Sequence, residues 1–307
     1  MPEAVSVTVP PESDQKRADK ALADALADWS RERLKGLFDE GAVQLNGVVA
    51  SRRTKVSEGD VLSVLLPPIP DTTVLPMPYP LEVLYEDEDI IAIDKPSGIV
   101  THPGAAVVPP TLCHALLHHT NGQLARAGGE ERPGVVHRLD KQTTGVIVFA
   151  KNDEAYYSLV SSFSERKTKK EYWAIVSGSP ALEAGSIREP IERDPHFRTR
   201  MKVREDGRPA HTDWKVVERL GVRSTLMHCR IHTGRTHQIR VHMSHLGHPL
   251  LGDSTYGYRA RSGDTPITDV FLHAVSLELP HPTTGHSIRF TSRIPRAFEQ
   301  MLIKLRG

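Results

Sequence analysis

The sequence predicts an α+β protein, with a large domain built around a central, mainly antiparallel mixed sheet and a small N-terminal module of two helices and a hairpin. Beyond residue 81, many short apolar runs are separated by turn residues, and few stretches have helical spacing. A proline-rich segment separates this part from the module. We therefore expect a loose tail over residues 1–12, the module over 13–67, a linker over 68–80 and the large domain over 81–307.

The module begins with two helical patterns. The apolar face of the first is Ala18, Ala21, Leu22, Ala25 and Leu26, which recur every three or four residues. Ser30 is a suitable N-cap for a second helix, whose apolar face is Leu34, Leu37 and Phe38. Asn46-Gly47 then predicts a tight hairpin. Residues 1–12 show no periodicity that we assign to a helix or strand, hence the expected tail.

The large domain alternates predicted strands with a few helices. The apolar runs that predict strands are Ile90–Ile93, Val146–Ala150, Trp173–Val176, Leu226–Ile231 and Val275–Leu279. Helical stretches lie near Leu112–His119, Ala155–Ser164 and His237–Leu246. This mixture favours an antiparallel sheet flanked by helices over a regular alternation of parallel strands and helices.

The overall composition is that of a soluble globular protein, with 38% hydrophobic and 25% charged residues. No apolar stretch reaches the length of a membrane span, and the start Met1-Pro2-Glu3-Ala4 lacks the features of a secretory signal. Cys113 and Cys229 lie far apart and outside any CxxC pattern, which argues against a disulfide framework or a structural zinc site. We expect a cytoplasmic monomer with no membrane partner.

The charge is distributed unevenly, although the formal net charge is only +1. Lys and Arg outnumber Asp and Glu between residues 198 and 240, and a second basic run is Arg166-Lys167-Thr168-Lys169-Lys170. Local basic surface on a nearly neutral protein suits a polyanion bound on one face. A solvated basic face without a ligand would have the same pattern.

One polar string precedes the predicted strand over residues 146–150: His137-Arg138-Leu139-Asp140-Lys141-Gln142-Thr143-Thr144-Gly145. Asp140 is therefore expected on a loop that leads into a strand, where catalytic groups concentrate. Taken alone, an Asp beside an Arg is more often a structural ion pair.

The full string resembles the signature of the RluA/RluD-type RNA pseudouridine synthase family. Further motifs stand in that family's order. Lys95-Pro-Ser-Gly98 precedes the string, and after it come Lys170-Glu-Tyr172, Thr233-Gly-Arg235-Thr-His-Gln-Ile239-Arg240-Val-His242, Gly252-Asp253 and Leu272-His273-Ala274. The resemblance covers nearly the whole chain from Leu81 onward. Thr144 stands where serine is commoner, and Gln142 stands where an acid is frequent.

The resemblance implies isomerisation of uridine within structured RNA, without a cofactor or a metal. It places the nucleophile at Asp140, a catalytic arginine paired with it at Arg235, and the aromatic partner of the flipped base at Tyr172. It implies that Arg138 fills the space vacated by the base or holds the backbone, and that His137, Thr143 and Ile239 also bind the substrate. Whether the carboxylate attacks the sugar or the base, or assists an elimination, is left open.

The N-terminal module resembles the S-four-type RNA-binding domain (the αL motif) in the order of Arg17-Ala-Asp-Lys-Ala-Leu, Ser30-Arg-Glu-Arg-Leu, Asn46-Gly and Gly59-Asp60. The resemblance implies RNA contacts from Arg31, Arg33, Lys35, Arg52, Arg53 and Lys55. The alternative is a generic helix–hairpin fold that carries surface arginines.

The expected partner is structured RNA, with large-subunit ribosomal RNA favoured by the resemblance and transfer RNA as the alternative. A catalytically silent RNA-binding or chaperone protein on the same scaffold is the main rival. The second rival is a metal-dependent RNA hydrolase that uses the histidines between residues 228 and 248. It is disfavoured because this segment has no HExxH pattern and is interleaved with arginines.

Overall fold

The computed structural model describes residues 3–26, 29, 31–66, 74–104, 107–197, 199–260 and 266–307. The side chains of residue 3 and of residues 31–33 lie outside that description. The chain divides into two compact units, residues 1–71 and residues 72–307. The predicted α+β class is confirmed, because each unit combines helices with a mainly antiparallel sheet.

In its described residues, the first unit contains two α-helices, α1 Ala18–Ala25 and α2 Arg31–Asp39, and four strands, β1 Glu3–Thr8, β2 Val43–Leu45, β3 Val48–Val49 and β4 Val61–Leu66. The strands form an antiparallel sheet of order β1-β4-β2-β3. The helices bury Leu22, Leu34 and Phe38 against the sheet residues Val43 and Leu62. Asn46 and Gly47 have positive φ angles of 50° and 82° and connect β2 to β3, so the predicted hairpin is confirmed.

The expected loose tail is wrong, because β1 pairs in antiparallel register with the whole of β4, from Glu3 opposite Leu66 to Thr8 opposite Val61. Val5 and Val7 are partly buried, Val9 is fully buried and the intervening residues are exposed. This alternation is a strand signal that the sequence interpretation overlooked. The predicted N-cap Ser30 lies outside the described residues.

The described residues of the second unit contain a nine-stranded sheet. Its strands are β5 Glu82–Glu86, β6 Ile90–Lys95, β7 Thr144–Ala150, β8 Lys169–Ser177, β9 Ala184–Ile187, β12 Thr212–Leu220, β13 Ser224–Ile231, β14 Leu272–Pro280 and β15 Ser287–Thr291. Their order is β5-β6-β7-β14-β8-β13-β12-β9, with β15 paired on β14. The two short strands β10 Ile191–Arg193 and β11 Met201–Val203 form a separate ribbon. The pairing of β7 with β14 is parallel, and the other pairings in the sheet are antiparallel.

Within the part of this unit that the structure describes, four α-helices accompany the sheet: α3 Leu112–His119, α4 Asp153–Ser164, α5 Gln238–His245 and α6 Arg296–Arg306. Asn152 caps α4 by accepting a hydrogen bond from the Ala155 amide. The predicted helices agree with α3, α4 and α5, whereas α6 was not predicted. It buries Phe298 and Leu302 against Phe271.

The predicted linker is wrong at its C-terminal end, because Val74 and Tyr79 pack on the core of the second unit. Val74 is 3% exposed and belongs to that unit's core, and Tyr79 packs against the same core. An apolar side chain in a proline-rich segment can be buried as readily as one in a strand. Residues 67–73 of the segment lie outside the described residues. Among the described residues, no helix has the length and apolar character needed to span a membrane.

Candidate active site

Asp140 lies in the loop that leads into β7, as predicted. The loop closes in a turn in which the Thr143 amide donates to the Asp140 carbonyl at 3.1 Å. The next strand begins against β14, where Ala274 lies opposite Gly145. Gly145 has a φ of 106°, and a Cβ atom there would lie 2.2 Å from the Ala274 carbonyl oxygen, so only glycine allows this approach. Strand pairing thus fixes the C-terminal end of the loop.

The buried ammonium of Lys95 holds the same turn through three hydrogen bonds. Lys95 is fully buried, and its Nζ donates to the carbonyl oxygens of Pro96, Lys141 and Thr143 at 2.9, 2.9 and 2.8 Å. Burial lowers the pKa of Lys95 to about 7, and the nearby charge of Asp140 opposes that shift. Three carbonyls from two segments therefore converge on one side chain and hold the turn that carries Asp140.

The cation paired with Asp140 is Arg240, in the first turns of α5. Its Nη1 donates to Asp140 Oδ2 at 3.3 Å, and its Nε and Nη2 donate to the two carboxylate oxygens of Asp253 at 2.7 and 3.0 Å. The Asp140 side chain is 17% exposed and that of Asp253 only 1%. Burial alone would lower the pKa of Arg240, but the two carboxylates outweigh it and raise that pKa. Asp253 thus orients the guanidinium, which reaches Asp140 with its remaining nitrogen.

The expectation that Arg235 pairs with Asp140 is wrong. The Nε of Arg235 donates instead to the Pro209 carbonyl at 3.1 Å. Burial lowers the pKa of Arg235, and the positive charges of Arg208 and Arg166 add to that effect. The reason is local geometry: Arg235 precedes α5 and lies among other cations, whereas Arg240 lies inside the helix and faces the Asp140 loop. Both arginines nevertheless line the pocket that contains Asp140.

His237 is a further group beside the carboxylate. It has a left-handed backbone with a φ of 57°, and its Nε2 lies 3.9 Å from Asp140 Oδ1. Its Nδ1 lies 2.6 Å from the Tyr256 hydroxyl, whose oxygen accepts from the Met201 amide. These partners favour donation by Tyr256 to Nδ1, which leaves the proton of a neutral imidazole on Nε2, toward Asp140. Burial lowers the pKa of His237, although the Asp140 charge opposes the shift.

Tyr172 and three apolar side chains form a further wall of the Asp140 pocket. Tyr172 lies on β8, is 7% exposed and faces the pocket together with Ile231, Ile239 and Leu272. Burial and the charge of Asp140 raise the pKa of the Tyr172 phenol, so it stays protonated at neutral pH. The pocket therefore combines one carboxylate with an aromatic ring and aliphatic walls, which suits a flat, polar ring.

The other predicted substrate residues differ in their accessibility. Arg138 is exposed at the mouth of the pocket, whereas Thr143 and Ile239 are buried in its walls. His137 accepts a hydrogen bond from the Val148 amide on Nε2 at 3.0 Å, and its ring stacks on Phe163. Burial lowers the pKa of His137 to about 3, with Lys170 adding to the effect, so the ring is neutral. The structure thus gives His137 a packing role beside any contact with substrate.

The candidate RNA-binding residues of the first unit are grouped in part. Arg52, Arg53 and Lys55 share the loop between β3 and β4, and Lys35 is exposed on α2. Arg52 forms a 3.1 Å ion pair with Asp39. The side chains of Arg31 and Arg33 lie outside the described residues. An RNA-binding role for this group stays a prediction.

The histidines between residues 228 and 248 are dispersed. His242 is buried on Thr212 and the Glu189 carbonyl, His248 contacts the Ser177 carbonyl, and His228 packs on Trp173. His232 instead stacks on His211, and both bond to Asp213 at 2.6 and 2.9 Å. The ligand atoms of these last three residues lie within 4.8 Å of one another, a spacing that would accommodate a metal ion. The expectation of a protein without a metal stays a prediction.

Sequence reasoning did not assign roles to Lys95, His237, Arg240 or Asp253. All four stand in the motifs that carry the resemblance, so their positions were visible. Their partners were not, because the bonds from Lys95 to Thr143 and from Arg240 to Asp140 join residues 48 and 100 positions apart.

Comparison with known proteins gives consistent matches. Residues 89–245 match the family model described as RNA pseudouridylate synthase. An uncharacterized RNA pseudouridine synthase of Aquifex aeolicus (strain VF5) is 42% identical over 94% of each chain. The ribosomal large subunit pseudouridine synthase D of Nitrosomonas europaea is 40% identical over 99% of this chain and 88% of its own. The solved structure of human RNA pseudouridylate synthase domain containing 4 is 26% identical, with a TM-score of 0.57 over 73% of this chain and 93% of its own.

Proposed function

Because this chain belongs to the RNA pseudouridylate synthase family, we propose that it converts uridines of large-subunit ribosomal RNA to pseudouridine, with Asp140 as the nucleophile. The observation that carries the proposal is the Asp140 carboxylate in a pocket walled by Tyr172, Ile231, Ile239 and Leu272. The choice of ribosomal RNA is supported by relatives named ribosomal large subunit pseudouridine synthase D, at about 40% identity over nearly the full length.

The reaction breaks the bond between the ribose anomeric carbon and the uracil ring nitrogen, rotates the base and rejoins the sugar to ring carbon 5. Carbon 5 loses a proton and the freed nitrogen gains one, so the reaction is redox-neutral. A carboxylate can attack the anomeric carbon or the ring, or it can assist an elimination on the sugar. Each route uses the Asp140 carboxylate, which accepts a charge-assisted hydrogen bond from the adjacent Arg240 guanidinium.

The neighbouring side chains have separable tasks in this proposal. Tyr172 and the aliphatic walls hold the uracil ring while it is detached from the sugar. Arg240 holds Asp140 in one orientation, since Asp253 holds Arg240 in turn. The Nε2 of His237 faces the second carboxylate oxygen and gives it a further polar neighbour. Fixed partners of this kind reduce the reorganisation required when charge moves in the transition state.

A uridine in structured RNA must leave its base stack before it reaches Asp140, which costs a few kcal/mol. Arg138 is exposed at the pocket mouth, and its planar guanidinium suits either the vacated stack or a phosphate. The first unit would add affinity through an S-four-type RNA contact made by the loop that carries Arg52, Arg53 and Lys55 and by Lys35 on α2. Contacts of this kind to phosphate position the RNA without reading its sequence.

The direct test is to incubate the full chain, in excess, with large-subunit ribosomal RNA transcribed in vitro and to map pseudouridine by mass spectrometry. A bulk transfer RNA transcript pool serves as the second substrate. We expect pseudouridine at discrete positions of the ribosomal RNA. Pseudouridine in transfer RNA alone would reassign the substrate, and RNA binding without pseudouridine in either RNA would favour the catalytically silent alternative.

A further inference from the structure

A second cleft, of about 450 Å³, adjoins the Asp140 pocket. The two share the walls formed by Arg138, Tyr172, Ile231, Gly234 and Arg235. Five basic side chains line this second cleft, which we call the basic cleft: Arg138, Arg166, Lys170, Arg208 and Arg235. Its lining contains no Asp or Glu among the described residues. The two basic runs of the sequence, one around residues 166–170 and one between 198 and 240, therefore meet at a single place beside the catalytic carboxylate.

Lys170 is the buried cation of this cleft. The residue is 7% exposed, and its Nζ lies 5.6 Å from the centroid of the Phe163 ring. Within the described part of the chain, no carboxylate or other acceptor pairs with its ammonium. Burial lowers the pKa of Lys170 to about 8, and the charge of Arg235 adds to that effect. The Nζ of Lys170 is not among the buried polar atoms that lack a partner, so it opens onto the cleft, where an anionic ligand would pair with it.

The arginines around Lys170 are also mutually repulsive. Burial lowers the pKa of Arg235, the charges of Arg208 and Arg166 lower it further, and its Nε donates to the uncharged Pro209 carbonyl. Arg166 precedes β8, Arg208 lies between β11 and β12, and Arg235 precedes α5, so three separate segments bring these cations together. An anion in the cleft would relieve their repulsion, and a tetrahedral oxyanion offers acceptors in several directions.

We propose that the basic cleft is a phosphate site, in which Lys170, Arg166, Arg208 and Arg235 bind a backbone phosphate of the RNA strand next to the nucleotide held at Asp140. The shared wall of Tyr172 and Arg138 places such a phosphate beside the catalytic pocket. The proposal rests on the proposed function for the identity of the strand. The phosphate site would hold the RNA strand in a fixed position relative to Asp140, because phosphate contacts position a nucleic acid.

The test compares Lys170→Met with Lys169→Met in the full chain. Lys169 is the adjacent residue, 53% exposed, and pairs with Glu278 at 2.6 Å, so both variants lose one positive charge but only one loses it from the cleft. The probe is a short fluorescent oligouridylate, titrated at several salt concentrations. We expect Lys170→Met to bind about tenfold more weakly. Its slope of log affinity against log salt should be smaller by about 0.7, as for one lost phosphate contact. Lys169→Met should match the wild type.

Equal affinities and slopes for the two variants would overturn the phosphate site. Arg208→Gln is the second variant, because this exposed side chain can be changed without disturbing the fold. It should weaken binding in the same direction, and its failure to do so would also count against the site if Lys170→Met does not fold. A polyglutamate peptide that lost the same affinity in Lys170→Met would reassign the cleft to anions in general.

Pseudouridine formation by the wild type is scored separately on ribosomal RNA. If the wild type forms no pseudouridine but Lys170→Met binds oligouridylate more weakly, the proposed function is contradicted and the phosphate site is supported. If the wild type forms pseudouridine but Lys170→Met binds oligouridylate as the wild type does, only the phosphate site is contradicted.

Discussion

At the scale of single residues, the site depends on a chain of charges in which each group orients the next. Asp253 is almost fully buried and takes two nitrogens of Arg240, which leaves the third for Asp140. Two carboxylates thus share one guanidinium. The shorter contacts of Arg240 go to Asp253, so the Asp140 carboxylate has a cationic partner and remains available to a substrate.

Asp140→Asn should fold normally and lose turnover. The amide keeps the size of the carboxylate but is a far poorer nucleophile and cannot stabilise positive charge on the sugar. RNA affinity should change little, because most of it comes from phosphate contacts elsewhere. Pseudouridine formed in a single turnover with saturating enzyme is the measurement, and a thermal melt is the control for folding. A folded variant within about tenfold of the wild-type rate would remove Asp140 from this role.

Arg240→Gln and Arg235→Gln should have different effects, although both residues line the same pocket. Arg240→Gln leaves the buried Asp253 without a cation, so we expect a loss of roughly 3 kcal/mol in unfolding free energy together with loss of turnover. Arg235→Gln should weaken RNA binding but retain most of the stability. Denaturant melts and RNA titrations would separate the two effects.

A double variant separates the effect of Arg240→Gln on stability from its effect on turnover. Asp253→Asn added to Arg240→Gln removes the unpaired buried charge and should restore much of the stability, but not turnover, since Asp140 still lacks its partner. Recovery of turnover in the double variant would show that Arg240 acts only through the fold.

At the scale of elements, the turn over residues 140–143 is held by groups outside itself. Lys95→Met keeps the bulk of the buried side chain but removes a donor from the carbonyls of Pro96, Lys141 and Thr143. The Lys141 carbonyl still accepts from the Gly98 amide. We expect a loss of roughly 3 kcal/mol in unfolding free energy, and a fall in kcat because Asp140 is no longer held in place. Urea denaturation and single-turnover assays are the measurements. Lys141→Met is the matched control, since that exposed lysine contributes only its backbone carbonyl to the turn.

The same contacts explain how far the elements could be predicted from the sequence. Helices α3, α4 and α5 and the hairpin at Asn46-Gly47 follow from local spacing and turn chemistry, and the motif string located the Asp140 loop. The pairing of β1 with β4 and the contact of Arg240 with Asp140 join distant segments, and local spacing carries no information on such partners. The motif indicates Arg235 as the partner of Asp140, whereas the direction of its side chain depends on where α5 begins.

At the scale of the whole molecule, buried neutral histidines couple stability to pH. Burial lowers the pKa of His137 to about 3 and those of His102 and His273 to about 4. An unfolded histidine titrates near 6.5, so as the pH falls below that value the unfolded chain takes up protons that the folded chain does not. The contribution of these neutral histidines to the free energy of unfolding is complete above pH 6.5. It is lost progressively as the pH falls from 6.5 toward their pKa values in the folded protein.

The free energy of unfolding should therefore fall between pH 6 and pH 4, by about 1.4 kcal/mol per pH unit for each of these histidines. His137→Gln keeps an acceptor for the Val148 amide and removes one titrating group. The unfolding free energy of this variant should therefore change less steeply with pH than that of the wild type. The difference in slope should be about 1.4 kcal/mol per pH unit, the contribution of one histidine. Urea melts across this range give both slopes, and identical slopes would show that His137 titrates alike in the two states.

The division into two units leads to the last prediction. Residues 72–307 contain their own core, which includes Val74, and every group we assign to the Asp140 pocket. This fragment should fold and keep its single-turnover rate at saturation, but bind ribosomal RNA more weakly and with a smaller salt slope, because the cations of the first unit are gone. The full chain carrying Arg53→Gln and Lys55→Gln is the matched control, and should lose part of the same affinity. If fragment and full chain bound equally well at physiological salt, the first unit would not be an RNA anchor.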